Sequence, residues 1–125
     1  MKEKIDHKAF TAHLFEEGIV RMDIKAVENL TADDVQKMYD TYLKLGNGKK
    51  VRILATCNKY IPLSKEAMQY AKANSGKYIS ATAMVISNNV NRIGIKFFMN
   101  FYKPKHPFGV FSNTNEATKW LHSLS

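Results

Sequence analysis

Residues 51–71 read VRILATCNKYIPLSKEAMQYA, and this stretch decides the fold. Val51 to Cys57 is an apolar run rich in β-branched residues, the pattern of a strand. Ser64 then has the identity of a helix N-cap, and Ala67, Met68 and Ala71, with Tyr70 beside them, recur at helical spacing up to Asn74-Ser75-Gly76. Tyr78 to Ser87 follows as a nearly continuous apolar run, as expected for a central strand covered on both faces. Strand, helix, strand in that order makes a parallel pair joined by a right-handed crossover.

The same reading extends in both directions. Upstream, Thr11 to Phe15 and Ile19 to Lys25 flank Glu16-Glu17-Gly18 as a hairpin. Thr31 opens a helix as N-cap, with Asp33 and Asp34 in its positively polarised first turn. Val35, Met38, Tyr39, Tyr42 and Leu45 form its inward stripe, and Gly46 is expected to end it in a left-handed conformation. Downstream, Val90 to Lys103 reads as a helix stopped before Pro104, Phe108 to Ser112 as a short strand, and Asn115 to Leu124 as a final helix containing Trp120. The predicted order is ββαβαβαβα, an α/β fold with a mixed, mostly parallel sheet, an antiparallel edge hairpin and about four helices. Residues 1–10 are expected to be an N-terminal tail and residues 11–125 a single domain.

The composition narrows the class. Of 125 residues, 45% are hydrophobic and 24% charged, as in ordinary globular proteins, and the formal net charge is +8. Cys57 is the single cysteine, which rules out an intrachain disulfide and fits a reducing compartment. Lys and Arg interrupt every apolar run before it reaches the roughly 20 residues of a membrane span. The mixed-charge start MKEKIDHKAF lacks the apolar core of a signal peptide, so the expected location is cytoplasmic. Charge is unevenly spread. Residues 67–115 contain no Asp or Glu, yet hold Lys72, Lys77, Arg92, Lys96, Lys103 and Lys105. Such a segment attracts anions.

The hairpin, the strand-turn-helix at 51–71, the segment SATAMVISNNVNRIGIKFFMNFYKP and the ending FGVFSNTNEATKWL together resemble small bacterial STAS-like domains. That is the anti-sigma-factor-antagonist fold, related in shape to CRAL–TRIO lipid-transfer domains. The resemblance spans roughly residues 12–124 and implies a regulatory module without catalysis. In regulatory members an Asp-Ser-Ser-Gly-like motif at the start of the second helix carries a phosphorylated serine. Here the place reads Leu63-Ser64-Lys65-Glu66, so Ser64 is the phospho-site candidate, while Leu63 and Glu66 replace the acid and the glycine. The helix-cap role of Ser64 is the simpler expectation.

No catalytic signature is present: no G-x-S-x-G, no H-E-x-x-H and no paired cysteines. Gly46-Asn47-Gly48-Lys49-Lys50 follows a helix and precedes a strand, the reverse of a phosphate loop. His7, His13, His106 and His122 are scattered, so neither a metal nor a cofactor is expected. Cys57 is expected to be shielded and inert.

Residues 90–103 carry the strongest functional pattern. At 100° per residue, Arg92, Lys96, Asn100 and Lys103 form one stripe, and Val90, Gly94, Phe97, Phe98 and Phe101 oppose it. Ile95, Met99 and Tyr102 make a surplus apolar row beside the cations and are the interface candidates. Arg92, Lys96 and Lys103, with Asn58, Asn88 and Asn89 near strand ends, are the anion- or ligand-binding candidates. The expected function is a non-enzymatic regulatory or protein-interaction module with a protein partner or a second copy. The alternative is a peripheral membrane or anionic-lipid or small-anion binder. Nucleic acid is disfavoured, because Phe and Tyr fall mostly on core-facing positions.

Overall fold

The structure, a computed structural model, describes residues 4–58, 61–86 and 103–124. Its strands are β1 (Lys4–Asp6), β2 (Phe10–Glu16), β3 (Ile19–Ile24), β4 (Val51–Cys57), β5 (Ile79–Ile86) and β6 (Phe108–Phe111), and its helices are α1 (Ala32–Leu45), α2 (Lys65–Tyr78) and α3 (Thr114–Ser123). The six strands form one sheet in the order β1-β2-β3-β4-β5-β6. β1, β2 and β3 pair antiparallel, whereas β3, β4, β5 and β6 pair parallel. The expected α/β sheet with an antiparallel edge is therefore present.

Three boundaries differ from the sequence reading. Lys4–Asp6, read as tail, is the edge strand β1, and Lys25 Nζ bonds Asp6 Oδ1 at 2.7 Å beside it. A three-residue charged edge leaves little periodicity to detect. The second helix runs through Gly76 to Tyr78, because Tyr78 packs on Tyr39 with ring centroids 5.5 Å apart and Ile79 N–H closes the last turn on the Ser75 carbonyl. The left-handed residues after α1 are Asn47 (φ 51°) and Gly48 (φ 83°), whereas Gly46 has φ −89°. The helix expected over 90–103 lies outside the described residues except for Lys103, which is not helical.

Two cores sandwich the sheet. Val20, Met22, Ile53, Ala55 and Ile79 face α1 and α2, meeting Val35, Met38, Tyr39, Tyr42, Ala67 and Ala71. On the other face Ile19, Leu54, Ala81, Ala83 and Val85 meet Ala117 and Leu121 of α3, with Phe111 and Trp120 at the margin. Alternation along each strand divides the residues between these layers.

Gly46 is fixed by space rather than by φ. A Cβ there would stand 2.6 Å from both the Lys49 carbonyl oxygen and Val51 Cγ1. Gly46→Ala should therefore cost about 1–3 kcal/mol in urea unfolding. Gly76→Ala, where no heavy atom lies within 4 Å of the new Cβ, should instead stabilise by up to about 1 kcal/mol.

Candidate functional site

The parallel strands give the sheet two chemically different ends. At their carboxyl ends the chain leaves β3 and β4 to start α1 and α2, and the two approaches are tied together. Leu30 and Leu63 form a parallel bridge, with Leu30 N–H on the Pro62 carbonyl and Ser64 N–H on the Leu30 carbonyl, each at 2.9 Å. The two helix N-termini consequently lie side by side. Thr31 Oγ1 accepts from Asp34 N–H at 3.1 Å while Asp34 Oδ2 accepts from Thr31 N–H at 3.0 Å, a complete capping box. Ser64 Oγ accepts from Ala67 N–H at 3.1 Å. Its hydroxyl is thus committed to the cap. Asp34 is only 3% exposed, and its Oδ1 faces Lys8 Nζ at 3.8 Å without a hydrogen bond.

Groups with chemical potential are each held in a structural role. Cys57 Sγ lies 3.9 Å from Met84 Sδ, and burial pushes the thiol up to about 11, so it is protonated at neutral pH. His122 meets Glu16 Oε2 at 2.6 Å on the exposed surface. The Thr82 hydroxyl and His106 Nε2 lie 3.1 Å apart, a pairing the sequence reading did not anticipate because 23 residues separate the two. Nδ1 of His106 is buried and has no hydrogen-bond partner among the described residues. The ring lacks the orienting carboxylate of a catalytic triad, and with the Thr82 N–H on the Pro107 carbonyl it clamps the 103–107 loop to β5. Among the described residues no three His, Cys, Asp or Glu side chains come together as a metal site.

A third feature lies on the sheet face that carries α3. This helix packs on β4, β5 and β6. Beyond it, in the same layer, Arg21 Nε bonds Asp23 Oδ1 at 3.1 Å, and the Thr56 hydroxyl donates to the same Oδ1. Thr11 stands opposite Asp23 and His13 opposite Arg21 in the β2–β3 register. Arg52 marks the border by donating from Nη1 to the Leu121 carbonyl at 2.8 Å. The Arg21 and Asp23 side chains are 31% and 35% exposed. The result is a flat polar patch whose side chains are already held in place.

Of the candidates read from sequence, Asn58 is exposed at the carboxyl end of β4. Lys103 is exposed before β6, at the opposite end of the sheet, with φ 44°. The structure does not bring these two together. Arg92, Asn88, Asn89, Lys96, Ile95, Met99 and Tyr102 lie outside the described residues.

Residues 13–125 match a family described as Domain of unknown function (DUF7793). The chain belongs to the DUF7793 family. No curated protein matches it. Among solved structures, this DUF7793 chain is similar to an uncharacterized protein of the DUF3478 family with a SpoIIAA-like fold from Shewanella loihica PV-4. The identity is 15% and the TM-score 0.58, over 97% of this chain and 92% of the other. At that identity the likeness establishes the fold, and the STAS-like expectation holds for this DUF7793 domain.

The Arg21–Asp23–Thr56 patch also went unseen in the sequence. Its signal is the alternation in Ile19-Val20-Arg21-Met22-Asp23, where two opposite charges two residues apart share one face.

Ser64 and His106, at opposite ends of the sheet, each give an outcome to check. Ser64→Ala should cost about 0.5–2 kcal/mol in chemical unfolding, while Ser64→Asp should be nearly neutral because Asp caps equally well. A loss of several kcal/mol in Ser64→Asp would contradict the cap role. For His106, burial lowers the ring pKa below its ordinary 6.5. Between the folded value and 6.5 the unfolded chain then binds more protons, so this group's contribution to stability declines as pH falls through that window. The drop in Tm on acidification from pH 7 should be smaller in His106→Gln than in the wild type.

Proposed function

We propose that this DUF7793 domain is a non-enzymatic regulatory module of the cytoplasm that acts through protein–protein contacts. The observation that carries the reading is the polar patch beside α3. Among the described residues α3 is the one helix packed on that face, and it packs chiefly on β4, β5 and β6, leaving Arg21 and Asp23 of β3 partly exposed. A rigid sheet surface loses little conformational entropy on docking, and ion-paired side chains held by Thr56 lose less still. Arg21 and Asp23 lie two residues apart on one face with opposite charges. That arrangement is self-complementary under a twofold axis, so a second copy of this chain is the partner that best fits it.

The remaining chemistry agrees with a role in contacts. A Cys57 thiol raised to about 11 is a poor nucleophile, and among the described residues the Thr82–His106 pair has no third group to orient the ring. No described helix is long and apolar enough to cross a membrane. Of the cations behind the lipid or anion alternative, Arg92 and Lys96 lie outside the described residues, whereas Lys103 and Lys105 are exposed before β6.

Sedimentation velocity over a concentration series tests the proposal. The wild type should self-associate reversibly. Arg21→Glu should weaken that association, and Arg21→Glu mixed with Asp23→Arg should restore it partly as a heterodimer. A strictly monomeric wild type, or self-association indifferent to both changes, would remove this reading.

A further inference from the structure

At the amino ends of the parallel strands, the carboxyl end of α2 meets the loop that leads into β6. Between them lies a cleft of about 260 Å³, lined by Lys72, Ala73, Ser75, Gly76, Lys77, Lys103, Pro104 and Lys105. Four of its eight described lining residues are lysines and none of the eight is acidic. A neighbouring cleft of about 480 Å³, with Lys49 and Lys50, also contains Glu16 and Glu17 and is therefore balanced in charge. Of these two, the smaller cleft has an uncompensated positive lining among the described residues. Its lysines come from two segments that are far apart in sequence and both lie in the acid-free stretch 67–115.

Two further observations give the cleft a floor suited to a ligand. Ser75 is 6% exposed, yet its hydroxyl makes no hydrogen bond to the preceding helical turn among the described residues. Thr41 and Thr118 do make that bond, donating at 2.8 Å to the carbonyls of Lys37 and Thr114. The Ser75 hydroxyl, not spent on the helix, is available to donate to a ligand oxygen at the cleft. Beside it, Gly76 stands inside a helix where glycine costs up to about 1 kcal/mol, and among the described residues no heavy atom lies within 4 Å of where a Cβ would be. Packing does not require that glycine. Its absent side chain leaves the helix backbone open to the cleft.

Helix polarity explains part of the charge. Lys77 lies in the last turn of α2, where the macrodipole, equivalent to about half a negative charge, favours a cation. Lys103 and Lys105 belong to a loop and receive no such support. Lys103 even adopts φ 44°, a conformation sparsely used outside glycine. Four full positive charges outweigh the half charge of the helix end.

We propose that this cleft binds a multiply charged phosphate group, with Lys72, Lys77, Lys103 and Lys105 neutralising it and the Ser75 hydroxyl donating to one of its oxygens. Its volume is below the roughly 300–1,000 Å³ typical of pockets that enclose whole organic ligands, so it takes the phosphate and leaves any carrier outside. A phosphomonoester carries about −1.5 to −2 charges at neutral pH, and a diphosphate suits four lysines better. The group is either free in solution or the headgroup of a lipid. This site is independent of the self-association patch, which involves none of its residues.

The test has two arms on the full chain. Titration calorimetry with inorganic diphosphate reads the soluble source, and co-sedimentation with phosphatidylcholine vesicles containing phosphatidic acid, against phosphatidylcholine alone, reads the lipid source. Binding in either arm supports the proposal provided that Lys103→Glu with Lys105→Glu weakens it by at least about tenfold, through reversal of two of the four charges. Ser75→Ala should weaken it about three- to tenfold without loss of stability. Lys65→Glu, at the other end of α2, should leave it unchanged. Trp120 fluorescence establishes that each variant is folded, and Lys105→Gln replaces the double variant if that one is not. Silence in both arms, or an equal loss in Lys65→Glu, would overturn the proposal, the latter by showing unspecific charge attraction alone.

Discussion

Right-handed crossovers are the constraint on which the rest of this structure depends. From β3 to β5 the chain adds each parallel strand on the same side of the previous one, in the order β3-β4-β5, and β6 follows in the same direction. With the hand fixed, helices between strands added in one direction must lie on one face. So α1 and α2 are neighbours, and their facing tyrosines Tyr39, Tyr42, Tyr70 and Tyr78 pack as a connected cluster. Among the described helices it is α3, which comes after the last strand, that packs on the other face, chiefly against β4 to β6.

The distribution of chemistry over the surface follows from that topology. Parallel strands put all their carboxyl ends together, so helix starts gather at one end of the sheet and helix stops at the other. The start end is occupied by caps: Thr31, Ser64 and Asn113 each spend a side-chain oxygen on a backbone N–H. Small polar residues there serve the helices first, which is why neutral Asn and Ser near strand ends are weak evidence for a ligand. The stop end collects lysines, because cations are favoured near helix C-termini and the loop before β6 brings two more.

A likeness to a SpoIIAA-like fold at 15% identity carries architecture without chemistry. What this chain does must be argued from its own side chains. Those that would do chemistry, Cys57, His106 and Thr82, are committed to packing and clamping, whereas the partly exposed polar groups on the open part of the sheet are held ready by one another.

Much of the fold was legible in the chain. Alternation and helical spacing in 51–87, the caps Thr31 and Ser64, and the hairpin around Gly18 are local signals, and each depends on residues within a few positions of one another. The acid-free stretch was legible too, as a one-dimensional fact about charge. Three matters were decided by tertiary structure alone. The edge strand β1 exists because β2 offers it partners, not because three residues prefer to be extended. Gly46 is required because the Lys49 carbonyl and Val51 close over it, a crowding invisible to a conformational rule based on φ. The lysines of α2 and of the β6 approach line one cleft because β5 and β6 pair parallel, which sets the start of β6 at the amino end of the sheet, where α2 ends. Sequence records which residues are near along the chain, whereas a cleft depends on which are near in space.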